Sequence, residues 1–384
     1  MSTRYHRLAR ETPAYAWWRL PAAGFLTGAI WMGGGLVLLL VTLILFAASS
    51  DLDKFKAWAD ASGDLDLQHL EFFVLDMLSI VILIPALLLA VLVTGPRPIG
   101  YLSSVAGRLR WRWLGRTAVM AAVVFVATIG GAIALAEATE PAEVSAPEVS
   151  TRAIVAIGLI LLLTPFQAAA EEYVFRGYVM QLVGSWSRFA FIPVIVSVPL
   201  FVAGHTYDLW GLVDVGIFGL MAAVVTIRTG GLEAAIAAHV ANNVVLFVLD
   251  ALGMISATDS SGAGPLDLIP TVISSAVFLV WVEWAARRQG LQRTRPPIPP
   301  PPPPPAPMWP PPPYAYWWPP VQPAPLPQWY PPPQPWHPAP QPVAPGPPQQ
   351  AWAPPANVPA PPALHPGTPD YPGDLPPGWG QERR

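Results

Sequence analysis

Eight stretches of this chain are apolar over lengths that no soluble fold would hide. They run approximately 24–47, 70–95, 117–136, 152–183, 189–205, 208–228, 232–250 and 267–286. A bilayer core needs ~20 consecutive helical residues. Backbone groups in hydrocarbon must be satisfied inside the segment, so stretches of this length read as helices rather than strands. Composition agrees: 53% of the 384 residues are hydrophobic and only 12% are charged, where a soluble domain has about a quarter charged. The expected fold class is therefore an all-α polytopic membrane protein of about eight transmembrane helices, with the lipid bilayer as its first partner. A formal net charge of −3 predicts no nucleic-acid partner. The absence of cysteine excludes disulfides, thiolate metal sites and a cysteine nucleophile.

The charges between the segments set an orientation. Arg4, Arg7, Arg10 and Arg19 precede the first segment, and Asp51, Asp53, Asp60, Asp64 and Asp66 follow it. The second is followed by the basic "RPIGYLSSVAGRLRWRWLGR", the third by "EATEPAEVSAPEVS" without a basic residue, and the eighth by "RRQGLQRTR". Basic loops alternating with acidic ones place both termini in the cytoplasm of a multi-pass cell-membrane protein.

Most of the 51 prolines lie after residue 295, beginning "PPIPPPPPPPAPMWPPPP". Such a run has neither helical nor strand period, and the expected state is disordered with extended polyproline II stretches. The organisation expected is a cytoplasmic N-terminal arm over 1–23, an eight-helix domain over 24–290 and a disordered proline-rich tail over 291–384. The tail reads first as a spacer in the cytoplasm, and second as a ligand for a polyproline-binding partner with an aromatic groove.

Three polar constellations interrupt the apolar segments. In "EEYVFR", Glu172 and Arg176 are four apart and share a helix face, so they read as an ion pair. Glu171 points about 100° away and is left over, and an intramembrane ionisable residue without a partner is by default a functional-site candidate. In "FVAGHT", Phe201 stands four residues before His205. In "AAHVANNV", His239 and Asn243 share a face while Asn242 points elsewhere. Singly, each polar residue reads as helix–helix glue. Jointly, a carboxylate, two imidazoles and an amide from three segments converge only on a polar interior cavity. A carboxylate or imidazole takes a proton from water, and an imidazolium or amide N–H stabilises an oxyanion. Glu and His are also ligands that a divalent metal such as zinc accepts.

EExxxR, FxxxH and HxxxN, in that order on successive segments, resemble the CPBP family. Its members are the CAAX-prenyl-protease-type and bacteriocin-processing intramembrane proteases, also called the Abi family. The resemblance covers roughly 70–286 with all three motifs complete. It implies a fold of eight helices and an intramembrane endopeptidase acting on a membrane-associated peptide or protein. It makes Glu171 and His205 the pair that activates water, His239 and Asn243 the oxyanion-stabilising pair, and Glu172 and Arg176 the supporting residues that orient and neutralise the site. Members have been classed as glutamic and as metallo-type proteases. The reading leans to a metal-independent mechanism, with Glu171, His205 and His239 as the ligands to test if a metal binds. The rival readings are a proton-coupled transporter that uses the buried Glu, Arg and His as a relay, and a non-catalytic membrane scaffold.

One expectation sits badly with the rest. If the fourth segment runs towards the cytoplasm and the fifth away from it, Glu171 and His205 fall far apart in a straight hairpin. A fifth helix that starts below the surface, or a break near "GSWSRF", would bring them together.

Overall fold

The computed structural model describes residues 2–296 apart from 13–14, 50–52, 54–55, 57–66, 68, 96–97, 140–144 and 258–262. The expected disorder of the proline-rich tail falls outside the described residues from 297 onward. The chain divides at Pro303 into two units, and the first contains everything described below.

Seven helices among the described residues are long and apolar enough to cross a bilayer. They are α1 (Arg19–Ala48), α2 (Leu70–Thr94), α3 (Trp111–Thr139), α4 (Thr151–Trp186), α6 (Leu209–Thr229), α7 (Glu233–Ala251) and α8 (Pro265–Arg288). Between α4 and α6 lies α5 (Phe191–Val202), which has 12 residues. The chain is thus a multi-pass membrane protein, and the fifth of the eight expected segments is the short one. A helix of that length rises ~18 Å at ~1.5 Å per residue, against a hydrocarbon core of ~30 Å. The apolar run 189–205 overstates the helix because its last residues fold into a turn, where Gly204 N–H and His205 N–H bond back to Phe201 O and Val202 O.

Helix α7 is the centre of the bundle: half of its apolar window is buried, compared with 6% for α1. Ala234, Ala235, Ala237, Ala238 and Ala241 are buried along it. Their small side chains let α3, α4 and α6 approach its backbone closely, the usual route to tight packing where lipid offers no hydrophobic drive. α1 packs on the second half of α2 at the edge, with Leu, Val and Ile side chains facing outward.

Two helices are interrupted for identifiable reasons. α2 breaks at Ile82 between Leu70–Val81 and Leu83–Thr94. Pro85, three residues on, has no N–H and its ring opposes the carbonyl of Val81. In α4 the residues after the two glutamates, Tyr173–Val179, form a π-helical turn. Such a turn leaves carbonyls short of their usual partners. Phe175 O receives Met180 N–H and also Ser197 Oγ–H at 2.9 Å, which fastens α5 to α4.

At the end of the bundle that holds both ends of the described chain, the loops form a clasp. Thr3–Arg4 pairs antiparallel with Thr294–Arg295. The 3-10 helix Tyr5–Glu11 buries Tyr5, His6, Leu8 and Ala9. Tyr5 Oη–H donates to Leu102 O, and Arg295 pairs with Glu11 at 3.1 Å. The arm, read in the sequence only as a carrier of positive charge, is folded into the domain, and α1 begins at Arg19 rather than at 24. The basic loop after α2 is equally built in. Arg110 Nε and Nη2 donate to both oxygens of Glu233 at 2.8 and 2.6 Å, while its Nη1 donates to Thr229 O and Gln292 O. Glu233 is fully buried.

Removing one partner of a buried bidentate pair leaves a charge without compensation. Arg110→Met is expected to cost about 3–5 kcal/mol, read as a lowered melting temperature of the purified protein in detergent. The double variant Arg110→Met/Glu233→Leu, which removes both charges, should recover a large part of that loss.

Candidate active site

Helices α2, α4, α6, α7 and α8 and the turn after α5 enclose a cavity of about 610 Å³. The motif residues reach it from three elements: Glu171 from the middle of α4, His205 from the turn after α5, and His239 and Asn243 from α7. The cavity lies at the halves of α6, α7 and α8 remote from the clasp. α6 contributes Trp210 to Phe218, α7 contributes His239 to Phe247, and α8 contributes Asp267 and Leu268.

The distance problem posed by the sequence dissolves in the register of the hairpin. Glu171 lies about 15 residues before the end of α4, and His205 about 14 after the start of α5. At ~1.5 Å per residue both legs measure about 22 Å, so the two side chains return to one level. The turn falls at Ser187–Ala190, where Ser187 is extended. The sequence reading set Glu171 in the cytoplasmic half of a segment ending at 183 and His205 at the far end of a fifth span running 189–205. In the structure α4 spans Thr151–Trp186 and carries Glu171 deep in its course.

The two adjacent glutamates live in different surroundings. Glu172 is completely buried. Its Oε1 accepts from Arg176 Nη1 at 2.9 Å and from His239 Nδ1 at 2.9 Å. Arg176, also fully buried, donates through Nη2 to Gly219 O at 3.2 Å and lies 4.1 Å from the centre of the Phe201 ring. Glu171 keeps 13% of its side chain exposed, towards the cavity, and its Oε2 is buried without a hydrogen bond, 3.4 Å from His239 Nε2. Oε1 of Glu172 is engaged twice while its Oε2, like that of Glu171, has no hydrogen bond; what separates the two carboxylates is that Glu171 opens on the cavity and Glu172 does not.

The hydrogen bonds also fix both imidazoles. A carboxylate and a carbonyl only accept, so each histidine donates from Nδ1: His239 to Glu172, and His205 to Phe201 O at 3.0 Å. Each Nε2 is thereby left as the atom that exchanges protons. Phe201 is the spacer of the site. Its ring packs edge-on against His205, His239 and Phe175 with centroids 4.9, 5.8 and 5.3 Å away.

Asn243, four residues after His239, turns its Nδ2 to Gln167 Oε1 at 3.2 Å and accepts from Asn242 Nδ2 at 3.1 Å. The sequence reading sent Asn242 away from the site, and this is corrected: Asn242 lines the same cavity. The cavity is wider than one helix stripe, so residues one step apart both reach it. Gln167 was missed altogether. Its signal was available, since it stands one turn before Glu171 on the same face. Asp76, Asp214 and Asp267 add carboxylates to the walls. Among the described residues no three His, Asp or Glu side chains close on a common point as metal ligands. Glu171, His205 and His239 share the cavity without forming such a set.

With this geometry in place, comparison with known proteins is informative. Residues 153–245 match the Rce1-like family, described as type II CAAX prenyl endopeptidase Rce1-like. That stretch contains all three motifs, so the region of this multi-helix membrane protein that holds the cavity-facing Glu171, His205, His239 and Asn243 is similar to the CAAX prenyl endopeptidase (CPBP) family. The uncharacterized protein YyaK of Bacillus subtilis (strain 168) is 27% identical over 206 residues, which take in 51% of this chain and 64% of that relative. The match thus spans less than two thirds of the relative's length. No solved structure matches the chain.

The two glutamates should respond differently to the same change. Glu172→Gln strands a buried guanidinium and is expected to cost about 3–5 kcal/mol of stability. Glu171→Gln removes a charge that holds no hydrogen bond at Oε2 and should leave the melting temperature in detergent close to that of the parent.

Proposed function

We propose that this protein is an intramembrane endopeptidase that hydrolyses a peptide bond of a membrane-associated protein or peptide. The reading rests on one observation above all: a cavity-facing carboxylate with an unengaged oxygen shares its chamber with two imidazoles whose Nδ1 atoms are already fixed. A water held between Glu171 and His205 loses a proton to His205 Nε2 or to Glu171 while its oxygen adds to the carbonyl carbon of the substrate. His239, once Nε2 carries a proton, and Asn243 donate to the oxyanion of the tetrahedral intermediate. Collapse of the intermediate breaks the C–N bond, and the proton taken from water passes to the departing amine. Glu172 and Arg176 take no part in bond making. They orient His239 and keep the helices in register. No step calls on a metal, and the substrate class follows from the family description alone.

If both termini lie in the cytoplasm of a cell membrane, as the loop charges predict, there is a consequence for access. The clasp then faces the cytoplasm, and the cavity end that carries Ser256, Ala257, Ala263 and the turn after α5 faces the other side. The natural absence of cysteine makes this testable with single substitutions. Ser256→Cys at the cavity end should react with a membrane-impermeant maleimide added to intact cells, and Gln289→Cys beside the clasp should react only after the membrane is opened. The reverse pattern inverts the proposed orientation.

Activity is tested with the purified full chain in liposomes, offered a farnesylated C-a-a-X peptide and a random-sequence peptide mixture, with products read by mass spectrometry. The parent is expected to cleave a subset at defined bonds, and Glu171→Gln and His205→Ala each to lower the rate by a factor on the order of 10³ or more, by analogy with triad-type groups. Cleavage unchanged in both variants, or none by the parent, contradicts the peptidase reading and leaves a relay or scaffold role.

A further inference from the structure

We propose that Gln167 is a catalytic residue, the terminal N–H donor of a three-amide chain that delivers a polarised hydrogen bond to the oxyanion. The inference rests on the peptidase reading and deepens it.

The oxyanion needs donors placed before the reaction begins, and those assigned from the motifs are partly committed. His239 spends Nδ1–H on Glu172 Oε1 and faces Glu171 with Nε2. Asn243 spends one Nδ2–H on Gln167 Oε1. Asn242 Nδ2 donates to Asn243 Oδ1, so the oxygen of Asn243 is occupied and its nitrogen is turned to Gln167. The chain therefore runs from Asn242 through Asn243 to Gln167, each amide accepting at oxygen and donating at nitrogen. Hydrogen bonds linked in this sense polarise one another, and the last nitrogen carries the strengthened dipole.

That last nitrogen is Nε2 of Gln167. The residue is 4% exposed, and it lines the cavity together with Glu171. Its oxygen is satisfied by Asn243, while no donor bond from its nitrogen occurs among the described residues. Gln167 Nε2 is not one of the side-chain atoms sealed in protein without a partner, so with its oxygen engaged by Asn243 the nitrogen is open to the cavity that the residue lines. Here the unmet donor faces the chamber where the tetrahedral intermediate forms, one helical turn from the carboxylate that holds the water. Both of its N–H groups are free, whereas Asn243 has one left.

The test compares the parent with Gln167→Ala and the near-isosteric Gln167→Glu, as full chains in the same liposomes with a peptide the parent cleaves. Gln167→Ala is expected to lower kcat by roughly 10²–10³-fold, the loss typical of one oxyanion donor, with KM nearly unchanged. Gln167→Glu, which replaces the donor by an acceptor, should lose as much at neutral pH. Its rate relative to the parent should climb as the pH falls, because the protonated carboxyl regains an O–H donor. Should Gln167→Ala fail to fold, the Glu variant carries the test alone. An effect confined to KM, or a Gln167→Glu protein as active as the parent at neutral pH, overturns the assignment. If Glu171→Gln and His205→Ala are inactive while Gln167→Ala is not, only the role of Gln167 falls. If all of them cleave like the parent, the peptidase reading falls with it.

Discussion

A carboxylate at full burial, Glu172, is the point on which the rest of this bundle turns. Taking a carboxylate and a guanidinium out of water is costly, and the cost is offset only where geometry is good and further hydrogen bonds are made. Glu172 Oε1 meets Arg176 and His239 at once, so α4 is tied to α7. Arg176 continues to Gly219 O on α6 and to the face of Phe201 on α5. Four helices thus meet through two side chains. Gly219 is part of the arrangement, because a Cβ there would press to 3.1 Å from Phe201 and 3.2 Å from Arg176. The same pair determines the chemistry next door. By holding His239 through Nδ1 it leaves Nε2 towards Glu171, and by absorbing the arginine it leaves Glu171 unpaired at Oε2.

The two ends of the bundle divide stability from function. The clasp end is closed by direct protein contacts: a short sheet between the ends of the described chain, the Arg110–Glu233 pair, the Tyr5 hydroxyl bonded to Leu102 O, and the buried Leu8. At the cavity end α5 stops short and α6 starts late, so polar side chains surround a space instead of packing against each other. A short fifth helix is what leaves room there. Had it continued for the length of α4, Phe201 and His205 would sit inside a packed wall.

Much of this was legible in the sequence, for reasons that differ by feature. The long helices follow from apolar length, which only burial in lipid explains. The Glu172–Arg176 pair follows from four-residue spacing, and the leftover status of Glu171 from the 100° step between neighbours. Three features resisted. The extent of α5 did not show because an apolar turn and an apolar helix look alike where lipid is near; the closing bonds of Gly204 and His205 are backbone events. The N-terminal arm looked like a solvated basic segment because its arginines dominate the composition, while Tyr5 and Leu8, which bury it, are too few to form a period. Gln167 and Asn242 were passed over because uncharged amides in membrane helices are usually glue, and only coordinates show which of their atoms are engaged.

The central claim is that Glu171 and His205 act on one water as a unit. Groups that act together are non-additive when removed. The most direct test is a double-variant cycle on peptide cleavage with Glu171→Gln, His205→Ala and both together, each protein checked for an unchanged melting temperature. The account predicts that the double variant cleaves about as slowly as the slower single one. Losses that multiply would show two residues working separately and would contradict it.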